Sequence, residues 1–159
     1  MVFHITLFQL TNILTTTTLT SFHIPEKTLI TSINTDTRNL QPGEGFLALR
    51  GNKFDGHNFV DEAIEKGASC VIVGQEYTLS NEVEQLSNNI PILQVENPLK
   101  AYQKIARWWR HRFHIPVISI TGSVGKTTTK ELIATVLATQ GKDRKSTRLN
   151  SSHTVISYA

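Results

Sequence analysis

The feature that most constrains this chain is a glycine and lysine loop at residues 121–131, with the sequence TGSVGKTTTKE. An apolar run at 117–120 precedes the loop, and residues 132–137 after it carry apolar side chains at helical spacing. A strand, a glycine loop, a lysine followed by a hydroxyl, and then a helix is the order typical of a phosphate-binding P-loop. The chain is therefore expected to have an α/β fold.

The residue types in this loop suit a nucleoside triphosphate. Gly122 and Gly125 let backbone N–H groups turn inward, and the helix start adds the positive end of its dipole. Lys126, the predicted catalytic residue, would bring a full charge to the β and γ phosphates, and the Thr127 hydroxyl is placed for Mg²⁺. The predicted triphosphate-binding residues are Thr121, Gly122, Ser123, Val124, Gly125, Lys126, Thr127 and Thr128, with Thr127 also the predicted metal ligand.

An alternative interpretation of the loop stays open. An ordinary glycine turn followed by a solvated lysine would share part of this pattern. The general P-loop also has a glycine five positions before Gly125, where this chain has Ile120. The loop is a shorter G-x-x-G-K-T form.

Composition is typical of a soluble globular protein. The 159 residues are 39% hydrophobic and 18% charged, a length that predicts about one domain. No segment approaches the roughly 18 apolar residues of a membrane span, and no Lys or Arg precedes Lys27 as in a secretory signal. We therefore expect a cytoplasmic protein without a membrane span. The single cysteine, Cys70, lies in an apolar run and is expected in the core.

The charge balance argues against a nucleic-acid partner. The chain has 16 Lys and Arg and 13 Asp and Glu, a net charge of +3. Residues 143–159 hold three of the bases and one of the acids, which leaves 13 bases and 12 acids in residues 1–142. Since the body of the chain is nearly neutral, no basic nucleic-acid-binding face is indicated.

The first hundred residues alternate between strand and helix patterns. A short helix is predicted at 7–14 and an amphipathic helix ends near Gly67, while strands are predicted at 29–33, 46–49, 70–73 and 92–95. Asn97 and Pro98 then favour the start of a longer helix, as a capping side chain followed by a proline. We predict a domain boundary near residue 97, and an apolar stripe on this helix formed by Leu99, Tyr102, Ile105, Ala106, Trp109 and Phe113.

The loop TGSVGKTTTKE resembles the ATP loop of the Mur ligase family. Residues 35–73, which include TDTR, PGEGFLALRG, DGH and KGA, are similar to the UDP-sugar-binding domain of the same family. The resemblance implies an α/β chain with a UDP-sugar (substrate) binding domain at 1–97. It also implies the truncated start of the central ATP-binding domain at 98–142, so that the chain is an amino-terminal fragment.

The resemblance implies an ATP-dependent ligase of peptidoglycan synthesis. Lys130 and Glu131 are most similar to the member that adds D-alanyl-D-alanine to UDP-N-acetylmuramoyl-tripeptide. ATP and Mg²⁺ are the implied cofactors, these two small molecules are the implied substrates, and a monomer is expected. The alternatives are a diaminopimelate-adding or lysine-adding member, or a catalytically inert nucleotide-binding fragment. Without the remainder of the ligase we expect the fragment to be inactive.

The resemblance places the substrate-binding residues in two loops. Arg38 could offer its planar fork to a uracil carbonyl or a phosphate, and Asp36 and Thr37 could bond the ribose or base. The alternative is that the aspartates form turns with their own backbone, and a lone histidine such as His57 is more often structural than catalytic. The implied substrate-binding residues are Thr35, Asp36, Thr37, Arg38, Ala48, Arg50, Gly51, Asp55, Gly56 and His57.

Residues 143–159, DRKSTRLNSSHTVISYA, resemble a translated sequencing adapter. We therefore interpret them as a non-native tail, expected to be mobile, in preference to a basic nucleic-acid-binding tail. Only residues 154–158 have β-branched and aromatic character, and these could pair adventitiously with the strand edge at 117–120.

Overall fold

The computed structural model describes residues 3–14, 17–18, 27–52, 54–80, 83, 90–114, 117–139, 144–150 and 153–158. The chain divides into two compact units, Met1–His111 and Arg112–Ala159. The helices of the first unit are α1 (Leu7–Leu14), α2 (Val60–Glu65) and α3 (Pro98–Arg110), and its strands are β1 (Ile5–Thr6), β2 (Thr17–Thr18), β3 (Leu29–Ile30), β4 (Ile33–Asn34), β5 (Gly45–Leu47), β6 (Cys70–Gly74) and β7 (Ile92–Val95).

Five of these strands form one sheet in the order β2-β7-β6-β5-β4. The strands from β4 to β7 pair in parallel, and β2 pairs antiparallel with β7. Each parallel connection must cross back before the next strand begins. The carboxyl ends of β4, β5, β6 and β7 therefore lie on one side of the sheet, called here the carboxyl edge.

Strand β6 is the centre of the core, since all five of its residues are buried. Cys70 and Ile72 pack on one face with residues of α1 and α3, whereas Val71 and Val73 pack on the other with residues of α2. Helices thus cover both faces of the sheet, as expected for a parallel sheet. The predicted core position of Cys70 is confirmed, and burial raises the pKa of its thiol to about 12 because a thiolate would be desolvated there.

Helix α3 begins as predicted, with the Asn97 side chain accepting a hydrogen bond from the Lys100 amide at 2.9 Å. Its buried residues are Ala101 and Ile105, which join the cluster around β6. Of the predicted stripe only Ile105 lies in this cluster of buried side chains, while Leu99 is 54% exposed. The helix packs into the first unit, and the division into compact units falls after His111. The domain boundary near residue 97 stays a prediction.

The second unit contains β8 (Val117–Thr121), α4 (Lys126–Ala138), β9 (Arg144–Asn150) and β10 (His153–Tyr158). Strand β10 pairs antiparallel with both β8 and β9, and residues 154–157 face 117–120. The pairing that the sequence allowed for residues 154–158 is thus present, and residues 144–150 add a strand that the sequence pattern did not predict. No helix among the described residues is long and apolar enough to cross a membrane.

The apolar face predicted for α4 is only partly covered. Ala134 is buried, but Leu132 and Val136 are each 63% exposed. The helix that follows the glycine and lysine loop therefore lacks part of the packing that an amphipathic helix needs to be stable.

Two alanine variants on α3 test which face of the helix is buried. Ile105→Ala should lower the free energy of unfolding by about 2–5 kcal/mol, because it opens a cavity in the core. Leu99→Ala should change it by less than about 0.5 kcal/mol, since Leu99 is largely exposed. Urea unfolding followed by tryptophan fluorescence measures both, because Trp108 and Trp109 lie on this helix. A larger loss for Leu99→Ala would favour the stripe predicted from the sequence.

Candidate functional site

The two predicted substrate-binding segments lie side by side at the carboxyl edge. Residues 35–38 follow β4 and residues 48–57 follow β5, and these two strands are parallel neighbours. Ligands of parallel α/β sheets bind beyond the carboxyl ends of the strands. The topology therefore brings both segments to the edge where a ligand is expected.

Arg38 is held by a carboxylate two residues before it. Its Nε atom donates to Asp36 Oδ1 at 2.9 Å and its Nη2 atom donates to Asp36 Oδ2 at 2.6 Å. These hydrogen bonds lower the pKa of Asp36 to about 2 and raise that of Arg38. The Arg38 side chain is nevertheless 84% exposed, so its guanidinium is oriented and accessible at once.

Thr37 lies between these two residues but belongs to the protein interior. Its carbonyl oxygen accepts a hydrogen bond from Lys66 Nζ at 2.8 Å, and Lys66 also pairs with Glu62. Glu62 is further hydrogen-bonded to the Thr37 side chain. These contacts tie the turn after β4 to helix α2, and they give Thr37 a structural role.

Asp55 organises the second segment. Its Oδ1 atom accepts from the His57 backbone N–H at 3.0 Å and contacts His57 Nδ1 at 2.6 Å, while Oδ2 lies 3.2 Å from Arg50 Nε. The hydrogen bonds from His57, with the charge of Arg50, lower the pKa of the Asp55 carboxyl group. Arg50 is exposed, so a second arginine at this edge is held by an aspartate.

The His57 ring faces the protein and not the solvent. Its side chain is 9% exposed, it stacks on Tyr77 with ring centroids 5.8 Å apart, and its Nε2 atom accepts from the Gly74 backbone N–H at 2.9 Å. Both ring nitrogens are therefore engaged within the protein. This arrangement agrees with the structural alternative for His57.

The remaining predicted residues of this site divide by exposure. Thr35 and Gly51 are exposed, whereas Ala48 is buried and its N–H bonds to the Ile72 carbonyl. Phe54, outside the predicted set, is 74% exposed within the second segment. The sequence feature that could have indicated this exposed residue is an aromatic side chain inside a polar, glycine-containing loop.

The glycine and lysine loop has the geometry that the motif predicts. It connects β8 to α4, and both Gly122 (φ 146°) and Gly125 (φ 80°) have positive φ values that side chains disfavour. Nothing lies within 4 Å of where a Cβ atom on Gly125 would be. Since Gly125 is the N-cap residue, no side chain caps α4, and N–H groups at the start of the helix can donate hydrogen bonds to an anion.

Lys126 stands at the start of α4 with its ammonium group turned back over the loop. Its Nζ atom donates to the carbonyl oxygens of Gly122 and Ser123, the latter at 3.5 Å. The positive charge is thereby kept beside the exposed loop backbone. The residues present fit a triphosphate, because they supply a cation, an uncapped helix start and glycines that leave room for close approach.

The residues around the glycine and lysine loop offer few ligands for a metal ion. Among the described residues, no group of three or more His, Cys, Asp or Glu side chains is arranged to hold a metal ion. Thr127 would contribute one hydroxyl oxygen, and Glu131 lies in the same helix with one oxygen 2.8 Å from Lys130 Nζ. Further oxygen ligands for Mg²⁺ would have to come from the nucleotide and from water.

A cavity of about 430 Å³ lies in the first unit, at another part of the carboxyl edge. It is found at the carboxyl ends of β6 and β7 and the first turns of α3, outside the predicted set. Its lining residues are Leu14, Gln75, Gln94, Val95, Glu96, Asn97, Lys100, Ala101 and Lys104.

Comparison with known proteins finds relatives of this chain. Residues 29–110 match the model of the Mur ligase family, catalytic domain, a match that ends before the glycine and lysine loop. The UDP-N-acetylmuramoyl-tripeptide–D-alanyl-D-alanine ligase of Synechocystis sp. is 44% identical over 151 residues, which cover 95% of this chain and 32% of that protein. The chain thus spans about a third of the length of this relative.

Solved structures give the same result. A crystal structure of MurF from Acinetobacter baumannii superposes with a TM-score of 0.68 and 29% identity, covering 87% of this chain and 28% of that one. The MurF ligase from Thermotoga maritima, in complex with ADP, gives a TM-score of 0.52 and 31% identity over 69% of this chain and 23% of that one.

The match to the Synechocystis protein also bears on the end of the chain. Because it covers 95% of the chain, it includes part of residues 143–159. The comparison therefore does not separate this segment from the rest, and its foreign origin stays a prediction.

Two glycines in the second segment provide a matched test of its packing. A Cβ atom on Gly56 would lie 2.7 Å from the Leu49 nitrogen and 3.0 Å from the Ala48 Cα atom, whereas one on Gly51 would meet nothing closer than 3.5 Å. Gly56→Ala should therefore cost about 1–3 kcal/mol of unfolding free energy, because the backbone must shift. Gly51→Ala should stay within about 0.5 kcal/mol in the same urea titration. Equal stability of the two variants would contradict this close packing.

Proposed function

Because the chain belongs to the Mur ligase family, we propose that it is part of a ligase that joins D-alanyl-D-alanine to UDP-N-acetylmuramoyl-tripeptide with the use of ATP. The observation that carries this proposal is the 44% identity, over 95% of the chain, to a Synechocystis protein of that name. The reaction belongs to peptidoglycan synthesis, and we place it in the cytoplasm with the protein as a monomer. The family alternatives differ in the amine that is added.

The first unit is proposed to bind the UDP portion of the substrate at the carboxyl edge. Arg38 and Arg50 are exposed there, and each is oriented by an aspartate, Asp36 and Asp55. A guanidinium held by a carboxylate loses less conformational freedom when it binds a phosphate or a uracil carbonyl. We assign the ligand contacts to these arginines, with Thr35 and the Gly51 backbone beside them.

The second unit is proposed to hold the triphosphate of ATP at the glycine and lysine loop. The N–H groups of residues 122–128 would face the phosphate oxygens, and Lys126 would neutralise charge on the group that is transferred. ATP bound with Mg²⁺ would supply its γ-phosphoryl group to the substrate carboxylate, with release of ADP. The amine of the second substrate would then attack the carbonyl carbon and release phosphate. No nucleophilic side chain of the protein is needed for this chemistry.

The chain itself is proposed to bind its ligands without completing the reaction. It spans about a third of the Synechocystis relative, and Leu132 and Val136 of α4 are uncovered. A loop attached to a partly packed helix is expected to bind nucleotide weakly, because ordering that helix costs conformational entropy.

Binding of the nucleotide sugar tests the first unit. Calorimetric titration of the chain with UDP-N-acetylmuramoyl-tripeptide should show binding, and Arg38→Ala should weaken it by about tenfold through loss of a charge-assisted hydrogen bond. Arg107→Ala removes an exposed arginine in the last turn of α3, outside the two predicted substrate-binding segments, and should leave the affinity unchanged. Equal binding by the Arg38 variant would remove that residue from the site.

Nucleotide binding tests the second unit. In the presence of Mg²⁺, ATP should shift the backbone amide signals of residues 122–128 in NMR spectra, and Lys126→Ala should abolish these shifts by removing the cation beside the phosphates. Lys130→Ala removes a lysine of the same helix that is paired with Glu131, and should preserve them. Amide formation from all three substrates by the 159-residue chain would overturn the view that it only binds ligands.

A further inference from the structure

The imidazole of His57 connects two parts of the carboxyl edge that are distant in sequence. On one side its Nδ1 atom lies 2.6 Å from Asp55 Oδ1, in the segment after β5. On the other side its Nε2 atom lies 2.9 Å from the N–H of Gly74, the last residue of β6. A single ring thus spans from a loop proposed to bind ligand to the central strand of the sheet.

The partners of the ring determine which nitrogen carries the proton. The Gly74 N–H can only donate, so Nε2 must accept and cannot be protonated. The hydrogen therefore resides on Nδ1, which donates it to the Asp55 carboxylate. Tyr77 stacks on the ring and limits its rotation. Orientation and tautomer are both determined by contacts within the protein.

The same carboxylate holds the ligand-facing arginine. Asp55 Oδ2 lies 3.2 Å from Arg50 Nε, while Oδ1 is occupied by His57. A rotation of the Asp55 side chain would move both contacts together. The position of the Arg50 guanidinium therefore depends, through Asp55, on the His57 ring, which is hydrogen-bonded to the end of β6.

We propose that His57 is a positioning residue of the nucleotide-sugar site, a brace that sets Asp55 and Arg50 against the end of β6 and does not touch the ligand. This role rests on the proposed binding of the UDP portion by the first unit. It differs from the role that the family resemblance implied for His57, which was direct contact with the substrate.

A ligand-free NMR experiment tests the brace itself. An N–H···N hydrogen bond transmits a scalar coupling between its two nitrogen nuclei, so the Gly74 amide nitrogen should couple to His57 Nε2 in the ¹⁵N-labelled chain. The Nε2 resonance should be that of an unprotonated nitrogen. Absence of the coupling, or a proton on Nε2, would overturn the proposal.

A double-variant cycle tests whether His57 acts through Arg50. His57→Phe keeps a ring against Tyr77 but removes both nitrogens, and it should weaken binding of UDP-N-acetylmuramoyl-tripeptide about tenfold, a size typical of residues in one hydrogen-bond network. Arg50→Gln should have a similar effect. The double variant should bind no more weakly than Arg50→Gln alone, because the brace has nothing left to position.

Controls separate this result from a loss of folding or of the site. His4→Gln removes an exposed imidazole and should bind normally, and His57→Asn, which retains a donor toward Asp55, replaces the phenylalanine variant if that one unfolds. Additive losses in the double variant would show that His57 acts independently of Arg50 and would overturn the brace. No binding by the unsubstituted chain, despite an intact Gly74 coupling, would overturn the proposed function instead.

Discussion

The first unit depends on the burial of one strand on both of its faces. All five residues of strand β6 are buried. Its side chains alternate between the two faces of the sheet and are apolar on both, so both faces must be covered. Helices α1 and α3 therefore pack on one face and α2 on the other. The strands on either side of β6 are parallel to it, so each connection between them must cross back over the sheet. The loops that carry the arginines emerge at one edge as a consequence.

Much of this architecture follows from local patterns. The strands predicted at 70–73 and 92–95 are present at Cys70–Gly74 and Ile92–Val95, and α3 starts where Asn97 and Pro98 predicted it. The buried face of α3 could not be predicted from local patterns, because hydropathy favours burial of Leu99 and Tyr102 over burial of Ala101. The structure buries Ala101, since a small side chain lets the helix approach α1 and β6 closely. Only the tertiary contact decides between the two faces.

In the candidate site, too, contacts between residues close in sequence are easier to predict than contacts between distant ones. Asp36 and Asp55 cap the turns that follow them, which was one of the two alternatives left open for the aspartates in TDTR and DGH. The sequence could not show that these carboxylates also hold Arg38 and Arg50. The sequence also could not predict the inward orientation of His57, because its partner is the N–H of Gly74, seventeen residues further along the chain. Side chains that bind to distant backbone leave no periodic signal.

The buried thiol of Cys70 has a practical consequence. It is the single cysteine of the chain, it is fully inaccessible at the centre of the sheet, and its high pKa keeps it protonated at neutral pH. A thiol reagent can reach it only when β6 separates from its helices. The rate of alkylation of the unmodified protein therefore measures how often the first unit opens, without any introduced label.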